Sequence, residues 1–304
     1  MSRALIAAAV LALAGCEVNL NSEGIVSRET KRFTVSGVPD VQLDTFDGSI
    51  EVHSWDRDEV EIEVEKRAME QGLVDDMKIT AEQDGNRIIV KVSEPHRSDR
   101  SRGVQIGVHF SPTARLRVAV PRNTTLTATS GDGSLTVEDV NGKLMLRTGD
   151  GSMRATRVAG EVTMRTGDGS IRVDRAEGKI DVETEDGSVT MEARPSHLRL
   201  HTSDGSVRLE IQPDAAMAAD WDVQTNDGSV VLTLPDGFNA QLDAETRDGV
   251  VRTELAALRD NREGDGGEGR DERRERQRRT LKAALGTGGH TLRVRSGDGS
   301  IRIE

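Results

Sequence analysis

One period governs this chain. Asp-Gly pairs begin at Asp132, Asp150, Asp168, Asp186 and Asp204, each 18 residues after the last. Looser recurrences stand at Asp227, Asp248 and Asp298, and an earlier one at Asp47. Gly142, Gly160 and Gly178 each follow the preceding Asp-Gly glycine by nine residues, so every unit has a turn in each half. Self-similarity at a fixed period marks a repeat architecture, in which no unit can bury its apolar face alone.

Within a unit, apolar and polar residues alternate. Leu135 and Val137 interleave with Ser134, Thr136 and Glu138, and Leu144 and Leu146 follow the same rule. So do Met153 and Ala155, Val162 and Met164, Ile171 and Val173, and Ile180 and Val182. Period-two alternation between glycine turns predicts strands with one buried face. A meander of hairpins does not require equal units, whereas a solenoid stacks equivalent positions in every coil. The expected fold class is therefore all-β: a single-stranded parallel β-helix (β-solenoid) with coils of about 18 residues. Right-handed coiling is expected because crossovers between parallel strands are overwhelmingly right-handed. A left-handed hexapeptide helix needs an aliphatic residue where Asn141 stands.

A second column supports stacking. Ser130, Thr148, Thr166, Thr184, Thr202, Thr225, Thr246 and Ser296 each lie two residues before an Asp-Gly aspartate, at inward positions. Buried there, they would need hydrogen bonds to one another or to backbone. Eight coils about 4.8 Å apart would make a rod of roughly 38 Å.

The chain divides on this reading into four parts. Residues 1–15 form a signal peptide, 16–24 an anchor and tether, 25–121 β-rich opening coils or a cap, and 122–304 the regular solenoid. In the cap, Val60, Ile62 and Val64 alternate with glutamates, and residues 77–93 read as a hairpin turning at Asp84-Gly85-Asn86. Residues 94–103 read as a polar loop. A charged insertion at 254–290, expected to be solvated and disordered or helical over 271–285, interrupts the rod. A partner-binding or headgroup-binding arm in its basic part is the alternative. Strands resume at Thr291 and end with Ile301 and Ile303 as the last coil.

The amino terminus sets the expected location. Arg3 precedes an apolar run, too short to span a membrane as a helix, that ends in Leu13-Ala14-Gly15-Cys16. This resembles the lipobox of bacterial lipoproteins, which implies lipidation at Cys16, the only cysteine. Lasting attachment needs more than one acyl chain. Glu17, rather than the aspartate linked to inner-membrane retention, slightly favours the outer membrane. One cysteine also excludes a disulfide framework. A formal charge of −12 disfavours nucleic acid, and four Phe, two Trp and no Tyr provide no stacking platform.

The Asp-Gly-Ser turns, Asp47-Gly48-Ser49-Ile50-Glu51-Val52, Val118-Ala119-Val120-Pro121 and Leu285-Gly286-Thr287-Gly288-Gly289 resemble a bacterial adhesin-like β-solenoid family catalogued as a domain of unknown function. The resemblance covers about residues 35–304. It implies a right-handed β-helix on envelope proteins, with roles in adhesion or envelope stress and no settled activity.

Candidate chemistry is sparse. The column Asp132, Asp150, Asp168, Asp186, Asp204, Asp227, Asp248 and Asp298 reads first as turn structure, with Asp capping N–H groups and Gly taking positive φ. A calcium ladder on the same carboxylates is the alternative. The single nonapeptide-like match, 266–271, is followed by Arg273 where an apolar residue belongs. No Gly-Asp-Gly copy completes a phosphate loop, and no serine sits in a nucleophile elbow. His197 and His201 flank a strand; His53, His96, His109 and His290 are scattered. No cofactor or metal is expected. Arg154, Arg172 and Arg208 form a partial outward column, read as partners of Asp174, Glu192 and Glu210 or as an anion site. Two function classes remain. One is a non-enzymatic envelope lipoprotein binding an envelope protein or glycan; the other is a polysaccharide-acting β-helix enzyme.

Overall fold

The computed structural model describes residues 18–21, 24–96, 111–255 and 279–304. Among these, one short helix, Gln71–Asp76, accompanies β-strands that all join a single hydrogen-bonded sheet. The fold is all-β, and two parallel ladders run through it. Strands after the Asp-Gly turns stack in one: Leu135 lies on Met153, Met153 on Ile171, Ile171 on Val189 and Val189 on Val207. Strands before those turns stack in the other: Leu126 on Leu144, then Val162, Ile180 and Leu198. Each step is one sequence period. Equivalent apolar residues therefore cover one another along the interior, and Leu135, Val137, Leu144 and Leu146 are all buried. One step is longer: Val207 meets Val230 and Arg199 meets Asp222, because residues 212–220 loop out.

Stacking order departs from chain order at both ends. Asp40–Thr45 lies between Arg87–Val92 and Thr125–Ser130, and Ile50–Trp55 between Thr113–Pro121 and Leu135–Glu138. The ladders thus pass through residue 121 without a break. Antiparallel strands follow outward: Thr113–Pro121 pairs Glu59–Ala68, which pairs Gly24–Thr34. Ile79–Asp84 and Arg87–Val92 form the expected hairpin, with Gly85 at φ 59° in its turn. Outward charges on this cap, such as Arg32 against Glu61 at 2.6 Å, suit a strand near the sheet edge.

The other end corrects two expectations. Thr291–Ser296 lies between Trp221–Thr225 and Ala240–Thr246, and Ile301–Ile303 between Val230–Thr233 and Val251–Thr253. The final segment of the chain is therefore the next-to-last coil, wedged between two coils that precede it in sequence. Thr280–Leu285 is a strand, not a helix or solvated loop, and runs antiparallel along Ala240–Thr246. Its alternating Leu281, Ala283 and Leu285 fit a pleated surface, and the open edge of 240–246 supplies the partner. Residues 256–278 of the expected insertion, 97–103 of the expected loop and the whole signal segment lie outside the described residues.

The wedge makes a specific prediction. Val294 is fully buried, and the ladder partners of 240–253 lie within 280–303. Val294→Asp places an unpaired charge there, at a cost of several kcal/mol (roughly 3–5). Hydrogen exchange should show amides of 240–246 losing protection together with those of 291–296, while 171–184 stay protected. Retained protection over 240–246 would contradict this placement.

Candidate functional site

The turn edge is organised by hydroxyls. Thr184 Oγ1 lies 2.9 Å from the Gly167 carbonyl oxygen and 3.1 Å from that of Gly169, both one coil away. It also accepts the N–H of Gly187 in its own turn, at 3.2 Å. Thr148, Thr166, Thr202, Thr225 and Thr246 reach carbonyls of the adjacent coil in the same way, and Ser130 and Ser296 reach Gly48 and Gly228. All eight are buried. Thr45, ahead of Asp47, belongs to the same column and pairs in register with Ser130.

This geometry corrects the part given to the aspartates. Asp132, Asp150, Asp168, Asp186, Asp204, Asp227, Asp248 and Asp298 stand along one edge and are exposed. The turn N–H goes to the Thr or Ser hydroxyl instead, because that oxygen is already fixed inside the turn. Among the described residues, only Asp248 and Asp298 of the column take side-chain partners, sharing Arg247, with Arg279 also near Asp248. The glycine requirement also differs from expectation. Gly151 is not at positive φ; a Cβ there would stand 2.2 Å from the Gly133 oxygen of the adjacent coil. Left-handed backbone occurs at the opposite turn, where Gly160 has φ 114° and Asp139, Arg157 and Arg175 have φ from 52° to 60°. There Arg157 grips Asp139 with two bonds of 2.7 and 2.6 Å, which holds the Asp139 carboxyl below the usual carboxylate range.

Outside the strands following the Asp-Gly turns, register aligns Thr136, Arg154, Arg172, Thr190 and Arg208. The expected pairing holds only for Arg172, whose Nε lies 3.1 Å from Asp174. Glu192 instead accepts from Gln212, and Arg154 and Arg208 have no ion pair among the described residues. Beside the arginines run the serines of the Asp-Gly-Ser turns, read from the sequence as turn motif and not as a site: Ser134, Ser152, Ser170 and Ser188, each two residues after an Asp. The same 18-residue period carried that signal. The serines and Thr136, Arg154, Arg172 and Thr190 together line an open groove of about 430 Å3.

A smaller pocket of about 300 Å3 gathers Asp47, Glu94 and Asp132. Burial pushes the Asp47 carboxyl up, and the Asp132 and Glu94 charges add to it. Among the described residues, no group of three or more His, Cys, Asp or Glu could hold a metal ion. His197 and His201 lie beside Lys179 and Glu183 on one strand, His290 approaches Asp220 at 3.6 Å, and His53 and His96 are exposed. Cys16 and His109 lie outside the described residues.

The family model of Toastrack DUF4097 matches residues 38–304. The chain belongs to the Toastrack family. Its fold is β-solenoid-like. No curated protein matches the chain. Among solved structures, a candidate adhesin from Parabacteroides merdae is 11% identical, with 91% of this chain and 96% of the other covered and a TM-score of 0.37. A candidate adhesin from Bacteroides fragilis is 9% identical, with coverages of 91% and 97% and a TM-score of 0.35. A candidate lipid-binding protein from Parabacteroides distasonis is 11% identical, with coverages of 91% and 96% and a TM-score of 0.34. Superpositions this loose define neither a site nor a ligand.

Acid should act selectively on the carboxyl-terminal wedge of this Toastrack chain. Asp243 accepts from Arg295 at 2.8 Å and faces Lys282, so its carboxyl lies below the usual range, mainly through the Arg295 hydrogen bond. A depressed folded-state pKa contributes stability that is present above the unfolded value, about 3.9, and is lost as pH falls through the folded value. Lowering the pH from about 5 to about 2.5 should destabilise the wild type more than Asp243→Asn, as read by thermal melting. Equal losses in both proteins would exclude Asp243 as the group responsible.

Proposed function

We propose that this Toastrack chain is a non-enzymatic lipoprotein of the bacterial cell envelope. In this reading a lipid on Cys16 holds it to a membrane, with the outer membrane favoured by Glu17, and its coils wind right-handed. The coiled sheet is an adhesin-like scaffold that binds another envelope or extracellular macromolecule. One observation carries the reading: outward residues repeat in register from coil to coil, as in the Thr136, Arg154, Arg172, Thr190 and Arg208 line. A surface that repeats along an axis suits an extended partner, because each coil offers it the same kind of contact. Family membership supports the reading in its coarse form.

Two measurements test it. Wild-type protein should sediment with membranes and take up labelled palmitate, whereas Cys16→Ser should do neither. Label retained by Cys16→Ser would overturn the lipid anchor. Crosslinking in the native envelope should trap a macromolecular partner, and purified mature protein should leave polysaccharides intact. Glycan cleavage that is lost with a single substitution would favour the polysaccharide-acting enzyme instead.

A further inference from the structure

The groove over the first regular coils combines three properties. It runs along the stacking direction, past Ser134, Ser152, Ser170 and Ser188, with Arg154 and Arg172 beside them. The serine carbonyls are used inside the sheet, as where Leu135 N–H donates to the Ser152 oxygen at 3.1 Å and Met153 N–H to that of Ser170 at 3.0 Å. Their hydroxyls are exposed and find no protein partner among the described residues. Each can donate and accept, and together they present a hydrogen-bonding group about every 4.8 Å.

The arginines add charge. Arg154 and Arg172 sit on adjacent coils in register, and Thr156 occupies the place by Arg154 that Asp174 holds by Arg172. Two guanidinium groups so stacked repel each other by on the order of 1 kcal/mol in water, which Asp174 offsets in part through Arg172 and an anion bound at Arg154 would offset further. Guanidinium donors match a carboxylate or sulfate with paired bonds.

The same features narrow the partner. Every strand in the groove already has ladder partners on both sides, so no free edge is offered to a peptide strand. No aromatic residue lines it, so a neutral sugar would lack a stacking face. The exposed Asp132, Asp150, Asp168 and Asp186 alongside oppose a duplex nucleic acid, which carries one charge per about 1.7 Å of its axis. A hydroxyl-rich chain with spaced negative groups meets all three conditions.

We propose that this groove binds a linear acidic polysaccharide, with Arg154 and Arg172 engaging its anionic groups and the serine column its hydroxyls. The inference rests on the scaffold reading above and names the partner class for it.

The test uses the full mature chain in buffer containing EDTA, so that no calcium bridges the aspartates. Affinity electrophoresis with polygalacturonate, and with neutral dextran of similar length, measures binding directly. Wild type should be retarded by polygalacturonate and not by dextran, and about 0.5 M salt should weaken the retardation. Arg154→Glu with Arg172→Glu should weaken it by about tenfold or more. Arg147→Glu with Arg199→Glu makes the same charge change at exposed arginines on the other ladder. That pair should stay within about twofold of wild type, with thermal melts confirming that both proteins are folded. Absent retardation, equal retardation by dextran, or equal loss in both variants would overturn the proposal. If polygalacturonate fails while crosslinking still traps an envelope protein, the scaffold reading stands and only the glycan is lost. If neither binds, both fall.

Discussion

A buried hydroxyl two places before each Asp-Gly pair ties one coil to the next. It reaches glycine carbonyls of the adjacent coil and in several coils also takes the N–H that closes its own turn. At Thr184 the hydroxyl proton serves the Gly169 carbonyl and the oxygen takes the Gly187 N–H, so two backbone groups at the tightest part of the coil depend on one small buried side chain. The Gly167 carbonyl nearby already accepts the Glu185 N–H. Buried backbone groups left unpaired would each cost about 1–3 kcal/mol, so the tight turn depends on this arrangement. The glycines follow from it. Coils drawn this close leave no space for a Cβ, and the position fixed by sterics is Gly151 or Gly169 rather than a left-handed turn. The aspartates between them are released to the surface, where they set charge.

The wedge at the carboxyl-terminal end follows from another constraint, the need to close a stack of parallel strands. Residues 240–253 do not dock on the coil before them; the 291–303 segment fills that place, and 280–285 covers the outer edge of 240–246. The amino-terminal end uses a related device, with 40–45 placed between 87–92 and 125–130, 50–55 between 113–121 and 135–138, and antiparallel strands outside. Both devices join residues far apart in sequence. Such pairings carry a large loop-closure entropy and form late in folding, so the middle coils are the expected nucleus.

What the sequence made legible was what repeats. The in-and-out alternation of Leu135 and Val137, the hydroxyl column and the hairpin at Gly85 could each be read, because period and turn chemistry act locally. The order of coils at the ends was not legible. Nothing in the residues from Thr291 to Ile303 distinguishes a last coil from a next-to-last one, since both would bury Leu292, Val294, Ile301 and Ile303 alike. The strand at 280–285 was hidden by its charged neighbours, and its pairing depends on an edge made elsewhere. The Ser134 to Ser188 column was visible in the repeat, yet its meaning came only with the groove beside Arg154. Aspartate was assigned the cap because it caps turns often; here a threonine already inside the turn stood closer.

The central claim is that hydrogen bonding by the inward hydroxyl, over and above its bulk, holds the coils together. Thr184 tests it most directly, since Val keeps its shape and Ser keeps its hydroxyl. Urea unfolding of Thr184→Val and Thr184→Ser should show the valine variant losing about 1–3 kcal/mol and the serine variant clearly less. A valine variant as stable as wild type, with serine the more damaging change, would show that packing alone holds the stack and would contradict the account.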